Sequence, residues 1–128
     1  STEGRSKVFA APVEGIITRH FSRQDNYLGV GIKASPNAPV TSIAEGTVVD
    51  VNTTGDKGTT VTIQHFDGYV SVYRNLTQVL VDKGQTVKSR QVIGYNSMPQ
   101  VGDSSNPLFE IEMWYEGKAV DPEIYIVF

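Results

Sequence analysis

The two histidines of this 128-residue chain, His20 and His65, are its most obvious candidates for metal or acid–base chemistry. A mononuclear zinc enzyme usually holds its metal with three protein ligands and keeps a fourth position open. His20 can be combined with Asp25 or Asp50, yet neither histidine has a second histidine at metal-ligand spacing. We therefore expect no zinc site and no cofactor. His65 should be a hydrogen-bonded strand residue near a hairpin, and His20 a residue of the surface or of a loop edge.

Two carboxylates, Glu110 and Glu112, alternate with Phe109, Ile111 and Met113 in one β-rich run. Alternate residues of a strand share a face, so the two carboxylates can reach one cleft together. On a half-buried strand, however, polar side chains usually face solvent while the apolar ones face the core. We expect that arrangement here, and the sequence gives no sign of the opposed carboxylate pair that a glycosidase requires.

Other catalytic classes lack their sequence signatures. The chain has no cysteine, which excludes disulfides, thiolate zinc sites and a cysteine nucleophile. It also has no Gly-x-Ser-x-Gly turn of the kind that presents a nucleophilic serine. Residues 46–48 and 81–87 are similar to the hairpins of lipoyl and biotinyl carrier domains. The turn that follows, residues 88–91, lacks the acidic or methionine context of a modified lysine, so a carrier domain is not favoured.

Composition and charge indicate one globular domain. The net charge is -3, with 39% hydrophobic and 20% charged residues, and without a basic run we expect no nucleic-acid partner. No stretch approaches the ~20 apolar residues that span a bilayer. Residues 1–8 are polar and look like the tail of a linker, so we place the domain at residues 9–128. Any membrane attachment would then come from a region upstream of the sequence.

Short β-rich runs separated by glycine turns dominate the chain. The Asp67-Gly68 dipeptide between two alternating runs is a strong hairpin signal. The runs predict strands at residues 15–18, 29–34, 40–44, 46–51, 60–65, 69–73, 87–95 and 108–114. Helical patterns are almost absent, and single helical turns are expected only near residues 75–80 and 122–125. We predict a mainly β fold, an antiparallel β-sandwich or partly open barrel with little helix.

The order of the motifs resembles that of the LytM (lysostaphin-type) zinc endopeptidases. Six segments carry the resemblance, which covers about residues 9–128: Pro12-Val13-Glu14-Gly15-Ile16-Ile17, Pro39 to Val48, Val61 to Tyr73, Val81 to Gly94, Leu108-Phe109-Glu110-Ile111, and Gly117 to Pro122. Each segment is a weak signal alone, but their order is specific. The resemblance implies the LytM peptidase fold.

The same resemblance implies that the zinc site is lost. The family's ligands are the His and Asp of an H-x-G-[IV]-D segment and the second His of an H-x-H segment. The matching positions here hold Tyr27, Gly31 and Leu108, while Asn106 replaces the first His of H-x-H and Asn75 a further catalytic histidine. None of these side chains is a good zinc ligand. The chain therefore resembles a degenerate, non-catalytic member of the family.

Degenerate members of this family resemble the amidase activators of bacterial cell division. The resemblance implies a periplasmic or extracytoplasmic binding module whose partner is a cell-wall amidase or another envelope protein. A structural module of an envelope or secretion complex and a peptidoglycan-binding module without hydrolysis are the alternatives. Binding is expected in the vestigial groove, defined as Tyr27, Gly31, Arg74, Asn75, Asn106 and Leu108, with an apolar floor and a polar rim.

Overall fold

The computed structural model describes residues 9–55, 58–99, 101–103 and 106–128. The predicted linker at residues 1–8 and the middle of the predicted turn at residues 55–58 lie outside this part of the chain. Twelve strands and one short helix are described: β1 (Phe9–Ala10), β2 (Ile16–Arg19), β3 (Val30–Lys33), β4 (Pro39–Thr41), β5 (Gly46–Thr53), β6 (Thr59–Gln64), β7 (Tyr69–Thr77), β8 (Thr86–Val87), β9 (Val92–Asn96), β10 (Leu108–Tyr115), β11 (Lys118–Val120), α1 (Pro122–Tyr125) and β12 (Ile126–Val127).

Ten of the strands form one antiparallel sheet with the order β2-β3-β10-β7-β6-β5-β8. β11 pairs with β10, and β9 joins β4 to β7. β1 and β12 form a separate parallel pair. Because β2 and β8 stand at opposite ends of the order, the sheet stays open. The predicted mainly β, antiparallel fold with little helix is confirmed.

Alternation along the central strands builds the core. Phe109, Ile111 and Met113 of β10 are fully buried, as expected. The β6–β7 hairpin turns at Asp67 and Gly68, whose φ angles of 53° and 83° are the positive values that a type I′ turn requires. β10 pairs with β7 on one side and with β3 on the other.

Two predicted elements are wrong. Residues 75–77 are not helical, because β7 continues to Thr77 and pairs Leu76 with Asn96. The predicted strand at residues 87–95 is divided by a turn at Lys88–Gln91 into β8, which pairs with β5, and β9, which pairs with β4 and β7.

The predicted helical turn at residues 122–125 is confirmed as α1, where the Asp121 side chain caps the first turn by accepting a hydrogen bond from the Glu123 amide. No helix in the described part of the chain is long and apolar enough to cross a membrane.

Candidate functional site

Three residues of the vestigial groove meet where β3 lies beside β10. Gly31 of β3 is paired with Glu110 of β10. Leu108 lies two residues before Glu110 on β10, so its side chain is on the same face of the sheet. A Cβ atom added at Gly31 would lie 3.1 Å from the Tyr27 hydroxyl and 3.1 Å from Cδ1 of Leu108. A longer side chain at Gly31 would therefore collide with the side chains of Tyr27 and Leu108 unless they moved.

The loop between β2 and β3 brings Tyr27 into this space. A backbone bridge from Ser22 to Tyr27 closes the loop, and the Tyr27 hydroxyl donates a 2.5 Å hydrogen bond to Glu110. The guanidinium carbon of Arg19 stands 3.6 Å from the centre of the Tyr27 ring, close enough for a cation–π contact. Burial, reinforced by the carboxylate of Glu110, raises the pKa of Tyr27. The side chain is therefore a neutral phenol at physiological pH.

Arg74 lies on the neighbouring strand β7, opposite Glu110 in register. Its Nε donates a 2.9 Å hydrogen bond to Glu112, and this bond is the main cause of the raised pKa of Arg74. The indole nitrogen of Trp114 donates to the other oxygen of Glu112 at 3.1 Å. Glu112 is thereby held on both of its oxygens, while 44% of the Arg74 side chain stays exposed.

Asn75 and Asn106 border the opposite end of the groove. Asn75 has a φ of 71°, and its side-chain amide donates a 2.6 Å hydrogen bond to the carbonyl of Leu108. Asn106 is exposed. With Lys33 and Leu108, both asparagines line a pocket of about 510 Å³. The described contacts thus tie Tyr27, Gly31, Leu108 and Asn75 together, whereas Asn106 stands at the pocket wall.

The expected apolar floor is wrong, because Glu110 and Glu112 enter the groove. Both point away from the core, as predicted, but they are only partly exposed. Tyr27 covers one of them and Arg74 the other. The alternation of β10 placed both carboxylates on one face; only the pairing of β10 with β3 and β7 shows which side chains face them. Arg19, the cation stacked on Tyr27, carried no sequence signal.

The residues present do not fit a zinc ion. Gly31 has no donor atom, Leu108 is apolar, and Tyr27 is a neutral phenol already bonded to Glu110. Among residues 9–55, 58–99, 101–103 and 106–128, no cluster of three or more His, Cys, Asp or Glu side chains is arranged to hold a metal.

The two histidines lie outside the vestigial groove, and each is within hydrogen-bonding distance of another residue. His65 is buried, with Nδ1 2.8 Å from the carbonyl of Glu45 and Nε2 2.7 Å from the hydroxyl of Ser71. His20 is an exposed residue paired with Glu123 at 2.6 Å. The prediction for His20 is confirmed. His65 is hydrogen-bonded next to the β6–β7 hairpin as predicted, but it is not a strand residue, because β6 ends at Gln64.

Comparison with known proteins shows the family to which this chain belongs. The model of a family described as Peptidase family M23 matches residues 25–122. The chain belongs to peptidase family M23. This confirms the family resemblance of the motifs.

Two relatives and one solved structure illustrate the match. The chain is 35% identical to an uncharacterized metalloprotease of Haemophilus influenzae over 112 residues, which cover 87% of this chain and 22% of that protein. It is 30% identical to the cell division protein DipM of Caulobacter vibrioides over 136 residues, which cover 96% of this chain and 21% of DipM. The structure of the SpoIIQ–SpoIIIAH pore forming complex aligns with a TM-score of 0.72 at 22% identity, over 94% of this chain and 91% of that chain. The chain thus spans about a fifth of the length of these two relatives.

Proposed function

We propose that this M23 domain is a non-catalytic binding module that activates peptidoglycan hydrolases, in particular cell-wall amidases, through its vestigial groove. One observation carries the proposal: the space at Gly31 is closed by Tyr27 and Leu108. Metal-assisted hydrolysis needs a bound ion that acidifies a water or polarises a carbonyl. Side chains without a free donor atom supply neither function, so the groove serves recognition instead.

The side chains that the groove exposes are of types that commonly bind a segment of another protein. Tyrosine and arginine are the side chains most enriched at binding hot spots. Tyr27 is held in place by Glu110 and Arg19, and Arg74 by Glu112. Rigid, partly exposed side chains lose little conformational entropy when a partner binds. The mixture of arginines and carboxylates favours a polar peptide segment over the apolar helix that an apolar floor would have suited.

The relatives support the cellular setting. DipM is named a cell division protein, and activation of amidases belongs to division of the cell wall. We therefore propose an extracytoplasmic location in the cell envelope.

Two alternatives remain distinct in their predictions. One chain of the SpoIIQ–SpoIIIAH pore forming complex has the same fold, which supports a structural module of an envelope complex as the second candidate. A module that binds peptidoglycan without cutting it is the third. The structural module predicts an envelope-protein partner and no effect on the amidase rate. The peptidoglycan-binding module predicts that the domain co-sediments with peptidoglycan sacculi.

The test is an amidase assay with dye-labelled peptidoglycan, a purified cell-wall amidase and increasing amounts of the domain. We expect the domain alone to release no dye and to raise the rate of the amidase. Arg74→Gln should require at least ~10-fold more domain for half-maximal activation, equivalent to ~1.4 kcal/mol. Lys83→Gln changes an exposed charge in the turn before β8, outside the groove; it is the control variant and should activate normally. Zinc-dependent release of dye by the domain alone would refute the proposal.

A further inference from the structure

Strand β2 (Ile16–Arg19) is an open edge of the sheet. In the described part of the chain it pairs with β3 alone, and it stands first in the strand order. An edge strand presents unpaired backbone N–H and C=O groups that can accept another strand. Many edges are protected by bulges or charges. In β2 the register shifts between Ile17 and Arg19, so the regular pairing with β3 is interrupted after Ile16 and Ile17.

The two faces of β2 differ in chemistry. Ile17 is paired with Ile32 and lines an apolar crevice of about 670 Å³, which also includes Val13, Pro39 and Phe128. Phe128 remains 44% exposed at its border. A strand added beside β2 would point every second side chain towards this crevice, because side chains alternate along a strand.

The opposite face of β2 is cationic around one exposed apolar residue. Ile16 is 72% exposed and is paired with Lys33, while Arg19 is paired with Gly31. Directly paired residues of an antiparallel sheet share a face. Arg19 and Lys33 thus flank Ile16 on the groove side. Glu110, a carboxylate on the same side, is engaged by the Tyr27 hydroxyl.

We infer that β2 receives an extended segment of a partner protein that adds to the sheet as a further strand, with apolar and acidic residues alternating. The apolar residues enter the crevice beside Ile17, and the acidic ones meet Arg19 and Lys33. Strand addition takes its affinity from main-chain hydrogen bonds and its specificity from alternate side chains. The inference goes beyond amidase activation, since it holds for any partner that carries such a segment.

The test uses a capped octapeptide of alternating valine and glutamate as the probe, followed by NMR of the intact domain. We expect the amide signals of Ile16 to Arg19 to shift. Hydrogen exchange should slow by at least ~10-fold at saturation for those amides of β2 that point away from β3, as pairing would require. A peptide of the same composition with its valines and glutamates in two blocks, and an alternating valine–lysine peptide, should each bind at least ~10-fold more weakly.

Ile16→Glu is the decisive variant, because the side chain is exposed and the change places a carboxylate against the acidic probe. It should weaken binding by at least ~10-fold while the melting temperature changes by less than about 2 °C. Leu80→Glu alters another exposed apolar residue, in the connection after β7, and is the matched control that should bind normally.

Equal binding by Ile16→Glu, or signal shifts that map outside β2, would overturn the inference. So would concentration-dependent shifts of β2 without peptide, which would show that a second copy of the domain occupies the edge. Peptide binding at β2 without amidase activation would count against the proposed function alone. Amidase activation that Ile16→Glu leaves intact, together with no peptide binding, would count against the edge inference alone.

Discussion

Gly31 is the position at which the closed groove can be tested most directly. We predict that Gly31→Asp, which places an acidic side chain at the position that the sequence comparison matches to the family's aspartate, destabilises the domain. The new Cβ would lie 3.1 Å from Tyr27 and Leu108 and 3.2 Å from Cβ of Arg19. Because these neighbours are side chains, they can yield to one methyl group but not to a carboxylate without larger movement.

The expected loss follows from packing and charge. Overpacking a tight site costs about 1–3 kcal/mol, and the new carboxylate beside Glu110 adds roughly 1 kcal/mol of repulsion. For a domain of this size, about 2–4 kcal/mol corresponds to a fall of roughly 7–15 °C in melting temperature. Gly31→Ala is the matched control. We expect it to cost less than about 1 kcal/mol, since the lower entropy of the unfolded chain offsets part of the crowding.

Thermal unfolding followed by circular dichroism measures both variants. The triple variant Tyr27→His/Gly31→Asp/Leu108→His completes the experiment, because it supplies the three zinc ligands of the family at positions that touch one another. Zinc at ~100 times its Kd should then stabilise it by about 2.7 kcal/mol, reversed by a chelator. Undiminished stability of Gly31→Asp would refute the packing argument. A triple variant that gains no zinc affinity would refute the assignment of these residues to the ligand positions.

Three further predictions concern single contacts. Tyr27→Phe should lower the stability by about 1–2 kcal/mol in urea unfolding, because Glu110 loses its donor; an unchanged midpoint would show that water replaces the hydroxyl. Arg74→Ala should cost less than about 1 kcal/mol, as expected for a partly exposed ion pair, and a larger loss in the same assay would contradict this expectation. Burial lowers the pKa of His65 below 6.5, so the neutral form favours folding. Stability should be greatest above pH 6.5 and decline as the pH falls from there towards the folded pKa. His65→Gln should flatten this decline, whereas His20→Gln should not, because Glu123 raises the pKa of His20 and gives it the opposite sign.

Local patterns in the sequence were enough to predict the fold class, and residue types were enough to predict that the zinc ligands are absent. The alternation of Phe109, Ile111 and Met113 against Glu110 and Glu112 defines the two faces of β10 whatever its neighbours are. The Asp67-Gly68 hairpin likewise depends on residues close in sequence. The side chains of Gly31 and Leu108 have no metal-binding atoms in any fold, so the prediction that the zinc ligands are lost follows from residue types once the motif order is aligned with the family.

Tertiary structure decided what fills the groove. Tyr27 and Glu110 are 83 residues apart in sequence, and no periodicity predicts that a loop tyrosine will cap a strand carboxylate. The continuation of β7 through Asn75, in place of a helical turn, depends on pairing with β9, which the sequence of β7 alone does not contain. The edge position of β2 is also a property of strand order. The pattern of Ile16 and Ile17 predicts a strand, but only the assembled sheet shows that no other described strand pairs with its outer side. In each case a long-range contact, with a free energy that exceeds the local preference, set the outcome.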